Sequence, residues 1–367
     1  MVFYKTKYKG EVESMISINE MLIIANQMHA SDLHLTVGVP PKVRVFGDLV
    51  DIEGCDDLTP QDMRTLAYSI IPEMLKPKFE KEGELDFSYA ILGEGRYRAN
   101  VFHQRGTLAA TLRLVGNSIP APSALGIPNS VVELTYKRRG LVLVTGPTGS
   151  GKSTTLASLI DLINQRSPYH IVTLEDPIEY LHPHKRAIVN QREVGLDTLG
   201  FAPALKSALR EDPDVILVGE MRDLDTIATA ITAAETGHLV FSTLHTIGAA
   251  STIDRIVDVF PPYQQTQIRS QLAMVLEAVI SQALIPTIGG NGRKAAFEVM
   301  LATPAIRNMI RESKTAQIAG IIQTSRNQGM KTLDDAILEL YENHYIDREM
   351  ALSYAQDPSA LVKRLTF

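Results

Sequence analysis

The sequence contains almost no cysteine. Cys55 is the single cysteine among 367 residues, so no disulfide can form within the chain. A zinc module that needs several cysteine ligands is excluded for the same reason. One thiol is compatible with a reducing cytoplasm.

Long apolar runs and an excess of positive charge are also missing. No stretch approaches the roughly 20 consecutive apolar residues of a membrane-spanning helix, and residues 1–10 lack the apolar core of a secretory signal. The formal net charge is −6, whereas proteins that bind the nucleic-acid backbone usually carry a basic surplus. We therefore expect a cytoplasmic protein with no direct membrane insertion and no nucleic-acid partner.

The first 115 residues have the pattern of a small α+β domain. Apolar residues recur at helical spacing over 17–30 and 59–80. The segments 32–37 and 42–46 alternate polar and apolar residues, which predicts a hairpin with one buried face. Three further strands are predicted at 85–91, 96–103 and 107–115. Helices followed by antiparallel strands favour an α+β unit.

The pattern changes after a segment rich in proline and glycine. Residues 116–128 contain three prolines and two glycines, which predicts a linker between a domain at 1–115 and a domain at 129–367. Beyond it, short strands that are apolar on both faces alternate with helices, as in a parallel sheet covered on each side. These strands are predicted at 141–145, 171–174, 215–218 and 239–244. From about residue 290 the chain is expected to be mostly helical.

Residues 146–153 read Gly-Pro-Thr-Gly-Ser-Gly-Lys-Ser and match the P-loop pattern GxxxxGK[ST] between a predicted strand and a predicted helix. Glycines allow backbone N–H groups to converge on phosphate oxygens, and the helix N-terminus adds partial positive charge. Lys152 is placed for the β and γ phosphates and Ser153 for Mg²⁺. The sequence thus predicts ATP binding and hydrolysis, with nucleotide contacts from Gly146, Thr148, Gly149, Ser150, Gly151, Lys152, Ser153 and Thr154.

Polar side chains follow three of the predicted strands. Glu175 follows 171–174, Glu220 follows 215–218, and His245 follows 239–244. Ligands of open parallel sheets bind at the carboxyl ends of the strands, so we expect these side chains to face the P-loop. Glu220 is the predicted base that activates the attacking water, and Glu175 is the competing base. Both carboxylates, together with Ser153, are candidate magnesium ligands.

The sequence leaves two possible roles for another histidine and for a group of arginines. His238 precedes the 239–244 strand and is either a site residue or a structural one. Arg96 and Arg98 share one strand face because side chains alternate. The planar fork of arginine suits phosphate, so Arg98, Arg105 and Arg113 are expected to act on the γ-phosphate, in cis or from a neighbouring subunit. The alternative is a solvated strand face paired with acidic residues.

Four segments, in order, resemble the secretion ATPase superfamily. They are GPTGSGKST at the P-loop, TLEDPIEY at 173–180, LREDPDVILVGEMRD at 209–223 and TGHLVFSTLHT at 236–246. They look like its Walker A motif, Asp box, Walker B motif and His box. ASDLHL at 30–35 and RYRANVFHQRG at 96–106 resemble its N-terminal domain. The resemblance spans about 15–365. It implies a PAS-like N-terminal domain, a RecA-like P-loop domain, a homo-hexameric ring, and ATP sites completed by arginines of the N-terminal domain.

Within the superfamily the chain is most similar to the retraction motors of type IV pili. The segment AIRNMIRE at 305–312 resembles their AIRxLIRE motif. Extension motors usually carry a tetracysteine module and an extra N-terminal domain, which this sequence lacks. The resemblance implies pilus retraction, twitching motility and a pilus platform partner at the inner membrane. The accessory retraction ATPase, a hexameric nucleic-acid motor on a RecA-like core and a non-hydrolysing scaffold are the alternatives.

Overall fold

The computed structural model describes residues 16–45, 47–91, 94–115, 118–290 and 292–365. Two compact units, Met1–Asn117 and Ser118–Phe367, make up the chain. Residues 1–10, which were predicted not to form a secretory signal, lie outside the described residues. So do the first two positions of the predicted linker, 116 and 117. The predicted domain limits, 1–115 and 129–367, stay predictions. No helix that the structure describes has the length and apolar character needed to cross a membrane.

The first unit is built on a six-stranded antiparallel sheet in the order β3-β2-β1-β6-β5-β4. The hairpin predicted at 32–46 is confirmed by the antiparallel pairing of β1 with β2. The described elements are α1 (Ile18–Gln27), β1 (Asp32–Thr36), β2 (Lys42–Val45), β3 (Asp48–Asp51), α2 (Pro60–Ile70), α3 (Lys76–Glu82), β4 (Glu84–Ile91), β5 (Gly95–Gln104) and β6 (Thr107–Val115).

One face of this sheet is the core of the first unit. Alternation along β1 buries Leu33 and Leu35, and the partner strand β6 buries Leu112 beside them. Helices α1 and α2 contact β1 and β6 and contribute buried side chains such as Met21 and Met63. The opposite face carries the polar side chains of the same strands, including the arginines.

One prediction for this unit was wrong in detail, and one strand was missed. The helix predicted over 59–80 is two helices, because Ile71 precedes Pro72 and is extended, as residues before proline usually are. A 3₁₀ turn and α3 follow, and Gly83 ends α3 at φ +80°. Strand β3 was not predicted because all four of its residues are exposed and show no burial alternation.

The second unit is built on a seven-stranded sheet in the order β13-β12-β7-β11-β10-β8-β9. All neighbours are parallel except β12 and β13. The described elements are α4 (Asn129–Val132), β7 (Gly140–Thr145), α5 (Lys152–Arg166), β8 (His170–Glu175), β9 (Ile188–Glu193), α6 (Phe201–Ala208), β10 (Val215–Val218), α7 (Leu224–Glu235), β11 (Leu239–Leu244), α8 (Ala249–Asp258), α9 (Pro262–Val275), β12 (Leu276–Pro286), β13 (Arg293–Leu301), α10 (Pro304–Arg311), α11 (Ile318–Thr324), α12 (Leu333–Glu342), α13 (Arg348–Tyr354) and α14 (Pro358–Arg364).

The four parallel strands predicted from the sequence are confirmed, and the predicted fold class is confirmed with them. Every residue of β7 and β11 is buried, as expected for strands covered on both faces. The segment after residue 290 is not wholly helical: β13 occupies 293–301 and the helices begin at Pro304. Periodicity missed it because a short, mainly apolar segment such as 295–301, interrupted by Glu298, does not distinguish a buried strand from a helix.

Candidate functional site

The P-loop connects β7 to α5 at the carboxyl edge of the parallel strands. Gly146 has φ +138° and Gly151 has φ +89°, backbone conformations that favour glycine. A Cβ atom on Gly146 would lie 2.3 Å from the carbonyl oxygen of Gln282, and one on Gly151 would lie 2.9 Å from its side-chain nitrogen. The loop therefore packs directly on β12, and a side chain at Gly146 would displace this backbone contact.

Lys152 is the first residue of α5 and is 9% exposed. Its Nζ donates hydrogen bonds to the carbonyl oxygens of Gly146 at 2.8 Å and Pro147 at 3.0 Å. Burial lowers the pKa of Lys152, while the charges of Glu220 and Glu179 act in the opposite direction. The ammonium group is thus fixed against the loop and within electrostatic reach of two acidic side chains.

The other P-loop residues differ in exposure and in hydrogen bonding. Thr154 Oγ1 lies 3.0 Å from the hydroxyl of Tyr180. Thr148, Gly149 and Ser153 are exposed. Ser150 is 3% exposed, and its Oγ is among the buried polar atoms for which the described part of the chain offers no hydrogen-bond partner. Such an orphaned hydroxyl is the kind of group that a phosphate oxygen satisfies.

Glu220 and His245 meet at this edge, as the strand pattern predicts. The turn after β10 is held by Gly219, whose N–H donates to the carbonyl of Leu174 at 2.7 Å and whose carbonyl accepts from Thr243 Oγ1 at 2.6 Å. His245 Nε2 lies 3.0 Å from Glu220 Oε1. The same oxygen accepts a hydrogen bond from Nε of Arg222, whose role sequence reasoning did not single out although it belongs to the Walker B segment.

Glu175 ends β8 and is held by two neutral donors. Thr173 Oγ1 donates to its Oε1 at 2.6 Å and Gln191 Nε2 at 3.0 Å. Burial raises the pKa of Glu175, and these two hydrogen bonds oppose the increase. Gln191 also donates to the carbonyl of Tyr180 at 2.8 Å. Sequence reasoning missed Gln191 because β9, on which it lies, carries few apolar residues.

His238 lies at the opposite edge of the sheet from His245. Its Nδ1 lies 2.9 Å from the carbonyl oxygen of Ala233 near the end of α7, and its own carbonyl accepts the N–H of Gly140 at 3.0 Å. Gly140 begins β7, so this is the amino edge of the parallel strands. The geometry decides the open alternative in favour of a structural histidine.

The three arginines predicted as a group do not lie together in the first unit. Arg98 and Arg113 are direct cross-strand neighbours on β5 and β6. Arg98 is ion-paired with Asp86, and Arg113 Nε lies 3.0 Å from Asp32 Oδ1. Arg105 is exposed at φ +49° in the turn between these strands. Six residues of strand, 99–104, separate it from Arg98, a distance of about 20 Å.

The oxygen ligands at the carboxyl edge of the sheet fit a magnesium ion that is also bound by a nucleotide. Within the described residues no cluster of three or more His, Cys, Asp or Glu side chains could hold a metal. Ser153, Glu175 and Glu220 nevertheless offer the hydroxyl and carboxylate oxygens that Mg²⁺ prefers, and this ion commonly completes its coordination with waters and substrate phosphates. The residues therefore fit a magnesium ion that arrives with a nucleotide.

A cavity of about 430 Å³ adjoins the P-loop within the second unit. Gly151, Thr154 and Gln282 form its P-loop end, and Leu284 and Phe297 contribute apolar surface from β12 and β13. Gln282 also accepts a hydrogen bond from Thr155 Oγ1 at 2.8 Å. It is another site residue that the sequence did not reveal, because β12 was not predicted.

Comparisons with known proteins show to which family the chain belongs. The family model described as "Type II/IV secretion system protein" matches residues 128–295. The type IV pilus retraction ATPase PilT of Pseudomonas aeruginosa is 50% identical over 343 residues, which cover 94% of this chain and 99% of that protein. This chain belongs to the PilT-type secretion ATPase family. The resemblance seen in the sequence motifs is thereby confirmed, and the chain is a P-loop ATPase.

Two further relatives define its place in the family. A solved structure of the pilus retraction motor PilT with bound ADP has a TM-score of 0.89 and 51% identity, and covers 95% of this chain and 99% of that one. The type IV pilus ATPase PilU of Pseudomonas aeruginosa is 38% identical over 346 residues, covering 94% of this chain and 90% of PilU. The chain is thus more similar to this PilT than to this PilU.

Proposed function

We propose that this chain is a hexameric, ATP-hydrolysing motor that powers retraction of type IV pili and so supports twitching motility. The observation that carries the proposal is similarity to a pilus retraction ATPase over 99% of that protein's length, in a chain whose P-loop, Glu220 and His245 lie at one sheet edge. The accessory motor PilU is the second candidate, with lower identity. Membership of the family disfavours the alternative of a nucleic-acid motor.

ATP is held by the P-loop in this proposal. Lys152 is a fixed cation for the β and γ phosphates, and the helix dipole of α5 adds to it. Gly146, Thr148, Gly149, Ser150, Gly151 and Thr154 supply the remaining loop contacts. The adjoining cavity, with apolar Leu284 and Phe297 and several polar groups, has the size and character of a nucleoside pocket.

Glu220 is the proposed general base, with His245 and Arg222 fixing its carboxylate. Glu175 is the competitor, and burial raises the pKa of its carboxyl, which strengthens it as a proton acceptor. Ser153, Glu175 and Glu220 are the proposed residues for Mg²⁺. When bound, this ion neutralises charge on the β and γ phosphate oxygens.

The ring and its arginines are a further part of the proposal. Arg98, Arg105 and Arg113 act on the γ-phosphate from the first unit, in the same subunit or a neighbouring one. Arg98 and Arg113 each have an acidic partner in the structure, Asp86 and Asp32, so binding a phosphate would exchange one anion for another. A guanidinium keeps its charge throughout such an exchange.

Force must pass from the ring to a protein in the membrane. We propose a PilC-like platform protein as this partner, with the motor on the cytoplasmic face of the inner membrane. Each site would favour one arrangement of the protein with ATP and another with ADP, and only that difference can move the partner.

The decisive experiment is deletion of the gene in a piliated cell. The proposal predicts abundant but static pili and loss of surface motility. Bald cells would assign the motor to pilus extension, and retraction that continues at normal force and frequency would assign it the accessory role. ATPase activity that rises strongly with added DNA or RNA would instead support the nucleic-acid motor.

A further inference from the structure

Glu298 is a buried carboxylate of β13 that serves the amino ends of two helices. It is 4% exposed. Its Oε1 accepts the N–H of Ala249, the first residue of α8, at 2.7 Å, and its Oε2 accepts the N–H of Leu333, the first residue of α12, at 3.4 Å. The first N–H groups of a helix lack intrahelical partners and carry partial positive charge, so a carboxylate stabilises both helix starts at once.

The loop between His245 and α8 is anchored at its far end by the β12–β13 hairpin. The N–H of Gly248 donates to Ser281 Oγ at 2.9 Å, and the next N–H donates to Glu298. Gly248 has φ +89°, and a Cβ there would lie 3.1 Å from the side-chain nitrogen of Gln356. Three residues before this anchored glycine, His245 reaches Glu220. The hairpin thus fixes the base of the loop that carries His245.

The same carboxylate reaches the C-terminal helices. Burial raises the pKa of the Glu298 carboxyl, and Gln356, between α13 and α14, lies close enough to Glu298 to lower that pKa against the effect of burial. Asp334 in α12 accepts the N–H groups of Gln356 at 2.7 Å and Asp357 at 2.9 Å. One buried side chain therefore contacts the start of α8, the start of α12 and the connection before α14.

We propose that Glu298 is a positioning residue for ATP hydrolysis, which holds the 245–248 loop so that His245 stays on Glu220 and couples this loop to helices α12–α14. The inference rests on the proposed role of Glu220 and His245. Two acceptor oxygens are needed for two helix starts, whereas an amide of equal volume offers one acceptor and turns its NH₂ group toward the other N–H. Glu298→Gln therefore breaks an anchor without leaving a cavity.

The test compares turnover with binding in the full chain. Glu298→Gln should lower kcat by about tenfold while the Kd for a fluorescent ATP analogue stays within about twofold, since displaced catalytic groups reduce rate more than ground-state binding. Ser281→Ala removes the second anchor of the same loop and should give a smaller loss of kcat. The double variant should lose less than the product of the two single losses, because both residues hold one loop.

Asp335→Asn is the matched control. Asp335 is 3% exposed, lies in α12 next to Asp334, and pairs with Arg326 and Arg364 rather than with the His245 loop. It should lower the melting temperature and leave kcat unchanged. The positioning role would be overturned if this control lost as much kcat as Glu298→Gln. It would also be overturned if Glu298→Gln had a normal kcat, or if its ATP affinity fell by the same factor as its kcat.

The variant His245→Ala distinguishes the proposed role of His245 from the positioning role of Glu298. If this variant turns over slowly while Glu298→Gln turns over normally, the positioning inference is wrong and the proposed role of His245 stands. If His245→Ala has a normal kcat, the proposed role of His245 is wrong and the positioning inference is overturned with it.

Discussion

His245 and Glu220 are joined by a 3.0 Å contact between Nε2 and Oε1, although they follow different strands. The register explains it: Val218 of β10 pairs with Ser242 of β11, and β11 continues for two residues beyond this pair. Glu220 lies two residues after Val218 and His245 three residues after Ser242, so the two side chains come from adjacent positions of neighbouring chain segments. Arg222 bonds the same oxygen of Glu220. The Walker B and His boxes therefore form one hydrogen-bonded group.

A double-mutant cycle on this pair tests that statement. His245→Ala should lower kcat about tenfold in the native background, and by much less in a Glu220→Gln background, because residues in contact are not additive. Single-turnover phosphate release measures both effects. Equal losses in the two backgrounds would show that His245 acts independently of Glu220.

The arginines of the first unit lead to a second prediction. Replacing Arg98, Arg105 or Arg113 by alanine should lower kcat by up to about a hundredfold with less effect on nucleotide affinity, because donors aimed at developing charge act mainly in the transition state. Arg98 and Arg113 are cross-strand neighbours, so their effects should overlap. Arg105 lies at the far turn, and its effect should multiply with either.

Arg44→Ala provides the control for this series. Arg44 belongs to the same sheet face, opposite Asp32, and donates to the carbonyl of Gly47. Its loss should leave kcat unchanged. If the Arg98 and Arg113 variants turn over ATP at the wild-type rate, these arginines do not act on the phosphate. They then belong to a solvated strand face on which they pair with acidic residues.

The pH dependence of turnover should respond to Thr173. Its hydroxyl donates to Glu175 and opposes the increase in pKa caused by burial. Thr173→Val removes this donor at constant shape, so the pKa of Glu175 rises further and its charged form is lost at a higher pH. If the ionised carboxylate is needed, the acid limb of the kcat profile must move to higher pH. Thr229→Val, in α7, is the control and should not move it.

An unmoved acid limb in Thr173→Val would remove Glu175 from the groups that control turnover. The glutamate would then be a structural residue of the Asp box. The same profile measured on Glu175→Gln would show no acid limb of this origin if the account is correct.

Stability below neutral pH should depend on His182. Burial lowers its pKa to about 4 from an ordinary value of 6.5. The unfolded chain therefore binds this proton first, and stability is complete above pH 6.5 and falls as pH decreases toward 4. Between pH 7 and pH 5 this single group should cost about 2 kcal/mol in the free energy of unfolding.

Replacing His182 by glutamine should remove that part of the pH dependence, measured by urea unfolding at pH 7 and pH 5. His344→Asn is the control, since His344 is exposed in a turn with φ +59° that asparagine tolerates. It should keep the native difference between the two pH values. A His182→Gln variant with the same difference would show that another group is responsible.

The local parts of this fold could be read from the sequence. Each of the parallel strands that lead to the P-loop, Glu175, Glu220 and His245 has a short apolar run beside a distinctive polar residue. Their convergence followed from the rule that parallel strands present ligands at one edge. His238 could not be assigned because its distinguishing feature is a bond to Ala233, which is set by the end of α7.

Residues on unrecognised strands could not be found in this way. Gln282 closes the P-loop from β12, and Gln191 holds Glu175 from β9. Both are uncharged and belong to no catalytic pattern, so only pairing in three dimensions places them at the site. The separation of Arg105 from Arg98 likewise depends on the length of the β5–β6 hairpin, which the sequence bounds only to within a few residues.

Separating nucleotide binding from hydrolysis tests the central account most directly. The Kd for ATP and the steady-state rate of phosphate release should be measured on the full chain and on Lys152→Ala and Glu220→Gln. Lys152→Ala should lose tight ATP binding, because the fixed cation against the P-loop is gone. Glu220→Gln should bind ATP as the native chain does and release phosphate at least about a hundredfold more slowly, since an amide cannot accept the water's proton. Equal losses of binding in both variants, or normal turnover in Glu220→Gln, would contradict the account.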